Sequence, residues 1–105
     1  MNNTKRMYAT NKKVKDWLIK NGYNDIALFP HTRFIKDVHF QGQDFDGIAS
    51  KGMTLILFQI KTNVKATKNI IEQYKNISHK FGIQCLWINY DTKKRMVEVN
   101  NGLPI

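Results

Sequence analysis

Residues 44–63 read DFDGIASKGMTLILFQIKTN. The stretch opens polar and acidic, passes a Lys51-Gly52 turn, and becomes the most hydrophobic run of the chain, Met53 to Ile60. Such a run is too short to cross a membrane. Bounded by Gly52 and a polar exit, it suits a strand buried on both faces at the centre of a sheet. It ends in Gln59-Ile60-Lys61. Strand side chains alternate faces, so Gln59 and Lys61 project the same way. An amide and an ammonium at the end of a core strand are costly to bury without partners. The candidate partner is Asp46, on the preceding strand of the same hairpin, and Asp44 lies two residues earlier on the same strand face.

Working outward, Phe45–Ala49 pairs with Met53–Ile60 across Ser50-Lys51-Gly52. Upstream, Thr4–Asn21 is a helix with Met7, Val14, Trp17 and Leu18 on one face, Thr4 or Thr10 as its cap and Gly22 as its stop. A turn at Asn24-Asp25 leads to a short strand, Ile26–Phe29, which Pro30 ends. His31, Thr32 and Arg33 form a polar connector, Phe34–Phe40 is an edge strand, and Gln41-Gly42-Gln43 is a turn. Downstream, Asn69 with Glu72 three residues on has the capping-box pattern and starts a helix to Phe81. Ile70, Tyr74, Ile77 and Phe81 share its face, and Gly82 stops it. Ile83–Tyr90 is a second buried strand, and Arg95–Val99 returns after a turn at residues 91–94. A helix joining parallel strands places the strand at Ile83 beside the strand at Met53. The expectation is an α/β fold: one domain, residues 1–105, with a central mixed sheet flanked by helices in the order α-β-β-β-α-β-β.

The chain has 105 residues, 42% of them hydrophobic, enough for one modest core. Cys85 is the single cysteine and lies in an apolar run, which rules out an internal disulfide framework and suits a reducing compartment. With no signal peptide, membrane span or lipidation motif, the expectation is a soluble, cytoplasmic protein. His31 and His39 lack the spacing and the further ligands of a zinc site. Trp17 and Trp87 sit in apolar periodic runs and are read as core. Charge is more telling: 17 Lys and Arg against 8 acids give +9. A small folded domain this basic meets a polyanion. Arginine is confined to Arg6, Arg33 and Arg95, which tilts recognition toward phosphate backbone or shape. Lys12, Lys13, Lys15, Arg33, Lys36, Lys65 and Lys68 are the candidate nucleic-acid contacts.

The element order, with Asp46, twelve intervening residues and Gln59-x-Lys61, resembles the PD-(D/E)XK nuclease superfamily, and within it small Holliday-junction-resolvase-like and phage-type nucleases. Asp46-Gly47-Ile48-Ala49 and Gln59-Ile60-Lys61 match the family's two motif segments, and Asn11–Tyr23 is similar to its first helix. The resemblance implies a restriction-endonuclease-like fold and a metal-dependent DNA endonuclease, structure-selective for junctions or branches. It implies Mg²⁺ or Mn²⁺ held by Asp46, the Gln59 side-chain oxygen and the Ile60 main-chain carbonyl, with Asp44 as a further ligand candidate. Asp46, Gln59 and Lys61 would be the catalytic set, Lys61 positioning water and countering charge on the phosphate. The chain departs from the family in Phe45, where proline is common, in the neutral Gln59, and in Asn11, where many members carry Glu. Symmetric cutting of two strands takes two copies, which leaves room for a homodimer. The alternatives are a non-catalytic nucleic-acid-binding module on the same fold, a double-stranded-RNA-binding domain, or an interaction protein with a basic face. RNA is disfavoured by the strands after Gly82 and by the polar triad.

Overall fold

The computed structural model describes residues 3–29 and 38–99. Helix α1 (Asn3–Lys20) is followed by β1 (Asn24–Leu28), β2 (Val38–Phe40), β3 (Gln43–Phe45), β4 (Gly47–Lys51), β5 (Thr54–Thr62), α2 (Lys68–Phe81), β6 (Gln84–Asp91) and β7 (Met96–Val99). Five strands form one sheet in the order β1-β4-β5-β6-β7, and β2 pairs with β3 alone. β5 and β6 run parallel, while β1–β4, β4–β5 and β6–β7 are antiparallel. The sheet is therefore mixed, with the apolar run of β5 at its centre and the strand after Gly82 beside it, as expected.

Alternation along β5 divides the core in two. Ile56, Phe58 and Ile60 face α1 and pack with Val14, Leu18, Tyr23, Ala49, Leu86 and Ile88. Leu57 faces α2 and packs with Phe45, Tyr74, Ile77, Cys85 and Trp87. The β2–β3 hairpin closes this second layer: the Phe45 ring lies 5.5 Å from Tyr74, and the Phe40 ring lies 4.9 Å from Phe81. Trp87 and Cys85 are buried, and Trp17 packs against the first cluster.

Several boundaries differ from the sequence reading. The central hairpin turns at Gly52-Met53, with Lys51 opposite Thr54, so Ser50 and Lys51 belong to β4. Met53 is thereby fully exposed and Leu55 is 40% exposed, whereas the apolar run predicted burial from Met53 onward. Hydrophobicity cannot mark where a strand rises past the edge of its covering layers. Gln41 and Gly42 take φ of 54° and 80°, which makes a two-residue turn and puts Gln43 in β3. β1 already starts at Asn24, and Asp25, read as a turn residue, sits in a register irregularity with φ 50°. Of the strand expected at 34–40, Val38–Phe40 is described; Pro30 and the connector lie outside the described residues.

The helix ends follow backbone chemistry. Gly22 (φ 88°) and the Tyr23 amide, bonded back to the Leu18 carbonyl at 3.0 Å, stop α1. Thr10 is no cap. It is buried in mid-helix, and its hydroxyl lies 2.8 Å from that of Thr62 on β5. The cap of α2 is Thr67 rather than Asn69: the Thr67 hydroxyl accepts from the Ile70 amide at 3.2 Å. Asn69 thus falls within the first turn, and Glu72 lies beyond reach of a capping box. Thr67→Ala should cost about 1 kcal/mol in urea unfolding, and Asn69→Ala should cost a few tenths at most.

Burial pushes the Cys85 thiol from its ordinary 9.0 up to about 11. The unfolded thiol loses its proton first as pH rises, so between pH 9 and 11 the folded state binds more protons and its advantage declines. Tyr74, raised by burial and then by Cys85, Asp46 and Asp44, acts in the same direction above pH 10. Stability should fall by about 2–3 kcal/mol across this range, and Cys85→Ala should flatten much of the slope in urea titrations at pH 8 and 10.5.

Candidate functional site

The chain passes from the small sheet to the large one at Asp46, which belongs to neither β3 nor β4. Its amide donates to the Phe58 carbonyl and its carbonyl accepts from the Phe29 amide, both at 2.7 Å. These bonds hold the backbone between β1 and β5, so the carboxylate turns along the edge of β5. There Asp46 Oδ2 accepts the Ile60 amide hydrogen at 2.7 Å. The side chain thus takes the place of a ladder carbonyl where β4 has ended.

Gln59 points into the same spot. It is 6% exposed, and hydrogen bonding orients its amide nitrogen toward Asp46 Oδ2 and the Asp44 main-chain carbonyl, each at 3.0 Å. The family resemblance implies a Gln59 oxygen offered to a metal. In this arrangement it is a donor, because both neighbours are acceptors. Asp44 was expected to share a strand face with Asp46. It lies instead in β3, opposite His39, and its carboxylate pairs with His39 Nδ1. The break in the strand at Asp46 cancels the two-residue periodicity that would have aligned them. What Asp44 brings to the cluster is its carbonyl.

Lys61 follows on the Gln59 face of β5. Its ammonium lies 5.7 Å from the centre of the Trp87 ring. That ring is fixed in turn: its Nε1 donates to the Val64 carbonyl at 2.8 Å, and the Val64 amide donates to the buried Asn89 side chain at 2.9 Å. Asn63, with φ 58°, exchanges side-chain bonds with Thr92, pinning the loop after β5 to the β6–β7 turn. Trp87 and Asn89, read as core or not singled out, therefore shape the surroundings of Lys61. The parallel pairing of β5 and β6 sets them opposite Gln59 and Lys61, a register with no local mark in the sequence. Tyr74 lies beneath, close enough to Asp46 and Asp44 for both to raise its phenol's pKa after burial has done so.

The basic candidates divide. Lys65 is exposed on the pinned loop and Lys68 opens α2, on the Gln59 and Lys61 side of the sheet. Lys12, Lys13 and Lys15 are exposed on α1, which covers the opposite face. Arg33 and Lys36 lie outside the described residues.

Among the described residues no three His, Cys, Asp or Glu side chains gather into a metal-binding group. Oxygen donors nevertheless converge. The Gln59 amide terminus lies 3.0 Å from both Asp46 Oδ2 and the Asp44 carbonyl. Neighbouring ligands of an octahedral Mg²⁺ stand about 3 Å apart, given metal–oxygen bonds of roughly 2.1 Å. With the Gln59 oxygen turned inward, its spacing to each of the other two oxygens would be that of neighbouring ligands on a hard cation that keeps several waters. The Ile60 carbonyl leaves the strand on the same edge as its amide and faces the same side.

The mixed five-stranded sheet between α1 and α2 has the restriction-endonuclease-like fold. Among solved structures, the 1.6 Å structure of Archaeoglobus fulgidus Hjc, a Holliday junction resolvase from an archaeal hyperthermophile, is similar with a TM-score of 0.54. The match covers 82% of this chain and 69% of that one at 14% identity, a likeness of fold. No protein-family model and no curated protein sequence matches the chain. No helix among the described residues is long and apolar enough to cross a membrane.

Proposed function

We propose that this chain is a metal-dependent DNA endonuclease of the PD-(D/E)XK type that acts on junction or branched DNA. The observation that supports it most is the convergence of Asp46 Oδ2, the Gln59 amide and the Ile60 amide beside the central hairpin of a resolvase-like fold. Asp46 supplies the negative charge, Gln59 a side-chain oxygen, and the Asp44 and Ile60 carbonyls further oxygens. A divalent cation bound there, Mg²⁺ or Mn²⁺, supplies polarisation of the scissile phosphate and a more acidic water. Lys61 directs its ammonium at the phosphate oxygen where charge develops, and the Trp87 face limits the directions it can take. Lys65 and Lys68 meet the flanking phosphates on the same side. A homodimer would bring two such sites to the two strands of a junction.

The test is a cleavage assay on labelled single-stranded, duplex, flap and four-way-junction DNA in Mg²⁺, Mn²⁺ or EDTA. Cutting should need the metal, favour branched DNA, and fall by about 10²–10³ in Lys61→Ala. The neutral Gln59 favours one other reading, a non-catalytic DNA-binding module on this fold. Salt-sensitive DNA retention with no cleavage of any substrate in either metal would decide for it.

A further inference from the structure

The Gln59 amide has two orientations, and its surroundings treat them very differently. With nitrogen inward, it donates to Asp46 Oδ2 and to the Asp44 carbonyl, both at 3.0 Å. With oxygen inward, the Gln59 oxygen stands 3.0 Å from both Asp46 Oδ2 and the Asp44 carbonyl oxygen, facing two acceptors with no proton to share. Burial at 6% exposure leaves little water to relieve that arrangement. A cation does relieve it, and the spacing is the one its ligands would keep. The same atom positions therefore serve two states that differ by a half-turn of the terminal amide, a torsion with a broad, two-fold profile.

We propose that Gln59 is a two-position gate of the cation site: its nitrogen closes the site by hydrogen bonds to Asp46 and Asp44, and its oxygen becomes a ligand when a divalent cation enters. Asp44 takes part through its main-chain carbonyl, since its carboxylate is engaged with His39 across the hairpin. This rests on the reading that the site holds a cation. It also gives a physical reason for a neutral residue at this position. A glutamate here would set a second carboxylate against Asp46 Oδ2, and like charges at that distance repel. The amide lets the cluster satisfy itself, at the expense of weaker cation binding.

The experiment follows the ¹⁵N-labelled full chain by NMR during Mg²⁺ titration, with the Gln59 side-chain amide assigned through backbone correlations. Alongside, Gln59→Glu is compared with wild type by Mg²⁺ calorimetry and by thermal unfolding in EDTA and in Mg²⁺. The gate predicts that the Gln59 amide protons move upfield and lose exchange protection as Mg²⁺ saturates. It also predicts that Gln59→Glu binds Mg²⁺ on the order of tenfold more tightly, and that its midpoint falls in EDTA and recovers in Mg²⁺. Saturable shifts at Asp46 with a stationary Gln59 amide would overturn the gate and leave the cation site standing. No saturable shift in wild type and no Mg²⁺ heat in Gln59→Glu would overturn the cation site and the gate together. The wild-type titration decides the point even if Gln59→Glu does not fold.

Discussion

Asp46→Asn should leave the protein folded and abolish its cleavage of branched DNA. Asparagine keeps an oxygen where Asp46 Oδ2 accepts the Ile60 amide at 2.7 Å, so the break between β3 and β4 stays tied to β5. What disappears is the negative charge, a strong attraction this cluster offers a divalent cation. Single-turnover cleavage of a labelled four-way junction should drop by about 10³-fold or more. The thermal midpoint should stay within a few degrees of wild type. Asp46→Ala makes the complementary case. It leaves the Ile60 amide and the Gln59 amide without this acceptor in a part-buried place, which should cost roughly 2–4 kcal/mol in addition to the lost activity. Cleavage by Asp46→Asn within tenfold of wild type would remove Asp46 from the chemistry. Equal stability of the two variants would show that the bond to Ile60 contributes nothing.

Gly47→Ala should be the most destabilising single-methyl change in the site region. A Cβ at this position would lie 2.4 Å from Cζ of Phe58 and 2.6 Å from the Ala27 carbonyl oxygen. Neither can move aside cheaply. Phe58 is fully buried in the layer under α1, and the Ala27 carbonyl belongs to the backbone of β1, whose register with β4 pairs Ala27 with Ile48. Forcing the methyl in would spread β1 from β4 or eject the Phe58 ring. Overpacking of this kind costs about 3 kcal/mol or more, a fall in midpoint on the order of 10 °C. The two bonds that hold the Asp46 backbone, to Phe58 and Phe29, flank the strained position. Activity should therefore fall further than the folded fraction does. A loss under about 1 kcal/mol would mean that Phe58 has room that the packing denies.

Gly47 illustrates how much of the site was legible in the sequence. The Asp46-Gly47 pair reads as a motif, and its position before an apolar strand ending in Gln59-x-Lys61 is enough to bring Asp46 and Gln59 together. Hairpin pairing and side-chain alternation, which are local rules, suffice for that. The glycine's reason, a ring from the facing strand pressed against its α-carbon, is a tertiary contact with no local trace. Asp44 shows the limit of alternation: the rule holds within a strand, and the chain changes sheets at Asp46. The cap of α2 departs from the sequence expectation for a similar reason. Thr67 and Asn69 both cap well, and the choice depends on how the loop after β5 is pinned by Asn63, Val64 and Trp87 to β6 and its turn.

The sequence by itself determined the class of fold. The apolar run of β5, the glycines that end both helices and the second apolar strand after Gly82 permit little besides a mixed sheet between two helices. These signals are strong because burial and backbone stereochemistry are enforced residue by residue. The sequence also placed Asp46, Gln59 and Lys61 on one hairpin. Only the tertiary structure decided which atoms of that set meet. It gave Gln59 the part of a donor to Asp46, turned the Asp44 carboxylate to His39 while leaving its carbonyl in the cluster, laid Lys61 over Trp87, and divided the lysines of α1 from those near α2. Each outcome depends on which acceptor, ring or layer another part of the chain brings within a few ångströms, and that proximity is a property of the packed chain alone.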